Sequence, residues 1–289
     1  ETSTCNTTNT KYWVWTNLTG NANNTIYAYY GNSAATLKTD YTNPDTSLIL
    51  LFHFDNNSIY WENSTKVFDF SRHNNNGTLS NVAWNSTGKY GGAYEFEGSS
   101  DLLNLSSGIS MDGNWTICTW TKFPLSASGD GWRTLTRGSD NDHHVIVDIN
   151  GNLGMYDNDD GGLDAECVPT IDTDNYNEWN LLCAVGLGTR TYFYINATYV
   201  CNSSAKGDGL LQYVGNYQGG NQDWGALLDE VRIYNRSLSA DEILAIYNST
   251  VNNYIGNQNL TKTDSNGNYN YTITAPSTAG TYNVSVNTT

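Results

Sequence analysis

The stretch GALLDEVRIYNRSLSADEILAIY, residues 225–247, decides the fold. Leu227, Val231 and Ile233 recur at even spacing with Asp229 on the same face, the period of a strand with one side on a core. The run NRSLS breaks the strand and a short helix follows. Ser239 stands at the N-cap with Glu242 three positions later, the capping-box pattern, and Leu238 is placed to staple against Ile243. Ile243, Ile246 and Tyr247 share one side of Ser239–Tyr247, so this helix is expected to pack on a sandwich edge rather than stand free.

Working back from that strand, the chain reads as short apolar runs between Gly, Asn, Asp and Ser turns. The clearest are Leu48–Phe54, Ala93–Phe96, Leu102–Leu105, Trp115–Phe123, Trp132–Thr136, His144–Ile149, Trp179–Val185, Tyr192–Ile195 and Leu210–Val214. Many short strands over about 200 residues, with no amphipathic helices between them, predict an all-β sandwich. The ends read differently. Residues 1–47 hold two short strands, near Tyr12–Thr16 and Thr25–Tyr30. Residues 249–258 read as a linker, and 259–289 hold Asn268–Thr274 and Thr281–Val286. Neither flank has enough strands for a domain of its own. The expected organisation is a partial β domain at 1–47, a complete sandwich at 48–248, the linker, and a partial β segment at 259–289.

Composition narrows the setting. The chain has 289 residues, 13 basic against 29 acidic, for a net charge of −16. Phosphate binding needs clustered cations, so nucleic acid is excluded as a partner, and an anionic membrane surface is disfavoured. No apolar run reaches 18 residues, so no segment is expected to insert in a bilayer. The opening ETSTCNTTNT does not read as a signal sequence, so any such peptide is expected to be gone already. Charged residues are only 15% of the chain, which leaves solubility to another device.

That device is read as N-linked glycan. Asn-x-Ser/Thr occurs 17 times, where 40 Asn and a Ser/Thr content of 58 residues predict about eight. The acceptors are Asn6, Asn17, Asn23, Asn56, Asn63, Asn76, Asn85, Asn104, Asn114, Asn196, Asn202, Asn235, Asn248, Asn259, Asn270, Asn283 and Asn287. The alternative is an Asn- and Thr-rich surface with no modification. Covalent glycans would hydrate the surface and imply an extracellular or cell-surface location. Cysteine usage agrees with an oxidising compartment. No pair among the five has C-x2-C spacing, which argues against zinc. Cys118 and Cys183 lie in apolar strand-like runs, and Cys167 and Cys201 at strand ends, so the expected disulfides are Cys118–Cys183 and Cys167–Cys201. Cys5 is then free or bonded to another chain.

Several segments resemble the laminin-G-like, concanavalin A-like jelly-roll superfamily in its microbial form. Lys89–Gly98 (KYGGAYEFEG) is similar to its early strand, Asn114–Trp120 (NWTICTW) to a central one, and Trp179–Ala184 (WNLLCA) to its partner. Tyr192–Asn196 (YFYIN) is similar to a further strand, with Ala197 where the family has Gly. Gly225–Ser239 follows the closing signature and Asp241–Tyr247 its helix. The order matches across about 48–248. Tyr12–Asn32 resembles the tail of a domain of unknown function that precedes such modules in surface proteins. Residues 259–289 resemble the last strands of an immunoglobulin-like repeat.

The resemblance implies an all-β, concanavalin A-like (laminin-G-like) jelly roll with short flanking β segments. Related jelly rolls include glycoside hydrolases, which need two carboxyl groups set apart across the bond they cut. No E-x-D-x-(x)-E pattern and no Gly-x-Ser-x-Gly occur, so no enzyme is expected. A calcium site near the sandwich rim is implied, with Glu97, Asp101 and Asp229 as hard oxygen ligands. The plainer reading is that Asp229 accepts backbone N–H groups at a strand–loop junction. Sugar binding needs an exposed aromatic platform beside polar groups, and Trp132, His143, His144, Tyr156, Tyr217 and Trp224 are the candidates, while Trp115, Trp120 and Trp179 are expected in the core.

Two functions follow. The first is a structural subunit of a heavily N-glycosylated extracellular filament or surface layer. It would be a homopolymer assembled head to tail, as the incomplete flanks of one copy complete the sheets of the next. The alternative is a lectin-like, carbohydrate-binding module of a cell-surface adhesin, whose partners are surface glycans.

Overall fold

The computed structural model describes residues 46–251 except 72, 127, 159–161, 165–175, 177 and 218–219, together with 23–24 and 273–274. The chain divides into two compact units: Asp45–Ile243, and one made from both chain ends, Glu1–Pro44 with Leu244–Thr289. In the latter, β1 (Asn23–Asn24) pairs antiparallel with β18 (Ile273–Thr274). The described flank strands therefore meet within one chain. The expected strands at Tyr12–Thr16, Thr25–Tyr30 and Thr281–Val286 lie outside the described residues.

The larger unit holds, in chain order, β2 (Leu48–Phe52), β3 (Lys66–Val67), β4 (Gly77–Ser80), β5 (Ala83–Asn85), β6 (Ala93–Phe96) and β7 (Leu102–Ser110). Next come β8 (Trp115–Phe123), β9 (Arg133–Gly138), β10 (His143–Val147), β11 (Leu153–Asp157) and β12 (Gly162–Asp164). The last are β13 (Glu178–Leu187), β14 (Arg190–Ile195), β15 (Thr198–Ser203), β16 (Leu210–Val214) and β17 (Ala226–Tyr234). Helix α1 (Ala240–Val251) begins in this unit and runs past its last residue, Ile243. The strands form two antiparallel eight-stranded sheets. One runs β15-β14-β13-β8-β17-β6-β5 with β2 also on β17, and the other runs β12-β11-β10-β9-β16-β7-β4-β3. This is the all-β jelly-roll sandwich the sequence predicts.

Alternation fills the core. Trp115, Ile117 and Phe123 of β8, Leu182 and Ala184 of β13, and Leu103 and Leu105 of β7 join one apolar cluster with Phe52, Phe96 and Trp224. The central strands β8 and β13 are covered on both faces, which explains their near-continuous apolar text. Cys183 and Cys118 stand directly opposite on these strands and are disulfide-bonded, as expected. Cys201 is disulfide-bonded as well. Its expected partner Cys167, and Cys5, lie outside the described residues.

β17 departs from strict alternation. Leu228 and Asp229 pair with Thr121 and Trp120 of β8, but Arg232 pairs with Cys118, so one extra residue is accommodated between them. Glu230 takes a φ of 53° there. The core face accordingly switches parity, from Ala226 and Leu228 to Val231 and Ile233. Asp229 does not share a face with Val231 and Ile233, contrary to the two-residue count. The capping box forms as expected: the Glu242 N–H donates to Ser239 Oγ at 3.3 Å and the Ser239 N–H to Glu242 Oε2 at 2.8 Å. Ile243 and Leu238 are buried.

Candidate functional site

The expected platform residues separate into two groups. Trp224 is fully buried, with its indole N–H on Thr121 Oγ1 at 2.7 Å. A ring with no exposed face cannot stack on a sugar, so Trp224 is a core residue. His144 is also fully buried, against Trp115 at 5.8 Å, with Nε2 at 2.9 Å from the Asp208 carbonyl. Burial holds its pKa down to about 4, so it is a neutral core imidazole. Both fail as platforms for the same reason: they follow a turn but point between the sheets.

Trp132, His143 and Tyr156 do come together, at the edge formed by β9, β10 and β11. Tyr156 is opposite His143 in register, with ring centroids 5.8 Å apart, and Trp132 packs edge-on to Tyr156 at 5.6 Å. Trp132 and Tyr156 are partly exposed, whereas His143 lies beneath them. The Thr134 hydroxyl donates to Gln222 Oε1 at 3.1 Å and accepts from His143 Nδ1 at 3.0 Å, which fixes the imidazole tautomer. Gln222 Nε2 donates to Asp130 Oδ2 at 3.1 Å, and the Trp132 N–H donates to Asp130 Oδ1 at 3.0 Å. The contacts thus close a ring: Trp132, Asp130, Gln222, Thr134, His143, Tyr156 and back to Trp132. Burial, then the nearby Arg137, holds His143 at about 3, so the group carries no titrating cation. Beside it Arg137 lies over Tyr217 at 4.4 Å. Two half-exposed aromatic rings over a satisfied polar base are what recognition of a sugar ring requires. Asp130, Thr134 and Gln222 carry no sequence signal, since each is unremarkable text until the strands bring them together.

The expected calcium ligands do not converge. Leu228 pairs with Tyr94 and Ala226 with Phe96, so Asp229 is level with Ala93 at one end of β6 while Glu97 and Asp101 follow the other end. The offset is about 13 Å along the strand. Asp101 Oδ2 instead accepts the Gly98 N–H at 2.7 Å. Asp229 accepts the Tyr90 N–H at 2.8 Å, which is the plainer of its two readings. Burial, and then the adjacent Glu230 charge, hold the Asp229 carboxyl well above the ordinary range. Glu230 is fully buried as well. Burial would raise its pKa, but His53 Nδ1 and Arg232 Nη2, each 2.6 Å from a carboxylate oxygen, bring it below the usual value.

A different acidic group is assembled. Asp140, Asp142 and Asp208 each offer a carboxylate oxygen, and the three lie within 4.8 Å of one another. The β9–β10 turn supplies the first two, and the loop before β16 the third. Pairing of Leu211 with Gly138, and the Ser139 N–H on the Leu210 carbonyl at 2.8 Å, bring these segments side by side. Bare backbone makes the approach possible: a Cβ on Gly209, at φ 70°, would fall 1.6 Å from Asp140 Oδ2. Asp142 is buried and accepts the Asn158 N–H at 2.8 Å. Burial, then the charges of Asp157, Asp140 and Asp208, raise its pKa to about 6. Hard carboxylate oxygens at this spacing could coordinate a divalent cation such as calcium. Asp157 and Asn158 of the acidic run 157–160 thus border this group, while Asp159 and Asp160 lie outside the described residues.

Of the acceptor asparagines, Asn56, Asn63, Asn76, Asn85, Asn104, Asn114, Asn196, Asn202, Asn235 and Asn248 are described with their side chains, and none is buried. Asn23 is described in its backbone alone. Asn6, Asn17, Asn259, Asn270, Asn283 and Asn287 lie outside the described residues.

Residues 97–244 match the family model described as the concanavalin A-like lectin/glucanases superfamily. Among solved structures, the chain is similar to domain 4 of AbnA, an extracellular GH43 arabinanase of Geobacillus stearothermophilus solved with arabinotriose. Identity is 19%, coverage 70% of this chain and 98% of that one, and the TM-score 0.53. It is similar to the binding domain of Paraclostridial Mosquitocidal Protein 1 at 19% identity, covering 71% of this chain and 53% of that one, TM-score 0.50. The Trypanosoma rangeli sialidase is similar at 12% identity, covering 72% and 33%, TM-score 0.53. The chain thus spans about half of the mosquitocidal binding domain and a third of the sialidase. No curated protein sequence matches it. The fold is the concanavalin A-like sandwich of that superfamily. No helix among the described residues is long and apolar enough to cross a membrane.

Proposed function

The chain belongs to the concanavalin A-like lectin/glucanases superfamily, and from that premise we propose that it is an extracellular carbohydrate-binding module. The observation that carries this is the closed ring beneath Trp132 and Tyr156, with its outer faces half exposed. The fold of AbnA domain 4, solved with arabinotriose, supports the class of ligand. Electrostatics select within it. Asp130 accepts the Trp132 N–H and Asp157 directly follows Tyr156, on a chain of net charge −16. A neutral oligosaccharide fits this setting and an anionic one is repelled. Calcium at the Asp140, Asp142 and Asp208 group is the cofactor proposed, and its charge would anchor that end of the site. The filament reading has no support among the described residues.

The test is an oligosaccharide array that includes arabinotriose and sialylated probes, read with calcium and with chelator. Selective retention of neutral probes supports the proposal, and uniform absence of retention ends it. For a retained probe, Trp132→Ala should raise Kd tenfold or more, about 1.4 kcal/mol, by titration calorimetry. Trp84→Ala, which removes an exposed ring on β5 far from the platform strands, should leave Kd unchanged.

A further inference from the structure

The acceptor asparagines are distributed unevenly. Residues 115–195 and 203–234 contain nine Asn and not one acceptor, whereas the other 31 Asn include all 17. At the rate found elsewhere, about five of those nine would be acceptors. These two segments supply every residue of the candidate site, namely the ring under Trp132 and Tyr156 and the Asp140, Asp142 and Asp208 group. From this we infer that the module carries an N-glycan coat that leaves a window over the candidate site. The bare window is the β9–β10–β11 face with the loops flanking β16, and Asn104 on β7 marks its border. This deepens the proposed function, on which the saccharide occupant of the window rests. The coat itself stands on the acceptor pattern and the side-chain geometry.

That geometry separates acceptors from look-alikes. Glycosylation joins the amide Nδ2 to the anomeric carbon of an activated glycosyl phosphate. The C–N bond forms, the sugar–phosphate bond breaks, and the amide proton leaves with the phosphate. The reaction needs an outward, unengaged Nδ2. Asn63 and Asn85 have one: Oδ1 of each accepts both the N–H and the hydroxyl of the Thr two residues on. These contacts are both 2.8 Å at Asn63, and 2.9 and 2.6 Å at Asn85. Exposed Asn104 and Asn114 likewise use Oδ1, on Gln212 Nε2 at 2.6 Å and the Gly188 N–H at 3.2 Å. Asn196 differs. Its Nδ2 donates to Asn180 Oδ1 at 2.7 Å and its Oδ1 accepts the Leu181 N–H at 3.0 Å, so both ends of the amide are held in the β14–β15 turn. Asn196 is assigned as a structural residue, outside the coat.

Peptide mass spectrometry of the native protein tests the coat. Hexose-bearing Asn63, Asn85, Asn104 and Asn114 with bare Asn196 are expected. Bare Asn at the first four overturns the inference, even if oligosaccharides are still retained on the array. The window is tested by a second variant pair made in a glycosylating host, with occupancy confirmed by mass. D160T completes an acceptor at Asn158, whose N–H meets Asp142. A83T completes one at exposed Asn81, away from the window. Retention of the best array probe should fall tenfold or more for glycosylated D160T and stay within twofold for A83T. Undiminished retention by glycosylated D160T removes the window. If the native protein retains no probe but carries the coat, it is the saccharide reading that fails. An outwardly intact coat with a second copy of the chain on the window would show as a dimer, and would overturn the occupant named here.

Discussion

Glu230→Gln is expected to cost about 3–5 kcal/mol of stability near neutral pH, the range for leaving buried ionic groups without their partner. Its carboxylate lies 2.6 Å from both His53 and Arg232, and those side chains are only 12% exposed. One effect opposes this. Removing the charge relieves Asp229, whose pKa burial and Glu230 hold up. Burial is the larger cause at Asp229 and remains in the variant, so the loss at Arg232 and His53 wins. The pH dependence has a definite sign. Glu230 has a folded pKa below its ordinary value, so its contribution is complete above about pH 4.3 and is lost as pH falls through the folded pKa. His53 is opposite. Burial lowers its pKa, but Glu230 outweighs this and raises it, so its share is present below about pH 6.5 and lost as pH rises through the folded value. Urea melts of the two proteins should therefore diverge most between these limits and converge at low pH. Equal midpoints at pH 6 would show that the triad contributes nothing.

Calcium is expected to stabilise the protein by about 2.7 kcal/mol at a hundred times its Kd, and Asp142→Asn is expected to abolish that gain. On the metal-free protein Asp142→Asn is expected to act in the other direction. Asp142 has a folded pKa of about 6, above the ordinary carboxylate value, so ionising it works against the fold. The native state is unpenalised below about pH 4, loses stability as pH rises toward 6, and carries the full penalty above that. Asp142→Asn removes the penalty, so without calcium the variant should melt higher than the native protein at pH 7.5. Calcium needs the ionised carboxylate, so its stabilisation should be large at pH 7.5 and small at pH 5. Differential scanning calorimetry at the two pH values, with calcium and with chelator, reads all four states. A native Tm that calcium leaves unmoved at pH 7.5 would rule out the ion.

How much of this is visible in the text depends on what each residue does locally. β6, β8 and β16 match their apolar runs residue for residue, because those runs are bounded by turn residues and lie against the core. β3, β4, β5, β11, β12 and β15 escape, being two to six residues long; most are polar or half exposed, and in the buried β11 Gly154 breaks the apolar run. They are strands because neighbours offer them hydrogen bonds, not because their own sequence demands it. In β17, Asp229 reads as core-facing only because periodicity cannot show the extra residue at Glu230. Trp224 and Trp132 are both Trp near a turn, and burial distinguishes them only once the sheets close. The Asp140, Asp142 and Asp208 group is illegible for a related reason, since Asp208 joins it through the β9–β16 pairing. Capping is the counter-case: Ser239 and Glu242 are local partners and are read directly.

The bond between Cys118 and Cys183 also has a mechanical meaning. It closes a covalent loop across a sequence separation of 65, and Trp132, Thr134, His143 and Tyr156 all lie inside that loop. Tension applied along the chain from its two ends passes through the sulfurs and skips the enclosed segment. Those four residues stay slack while the flanking pieces are stretched, so a module pulled by its tethers would not have its platform strands drawn out until the bond was reduced.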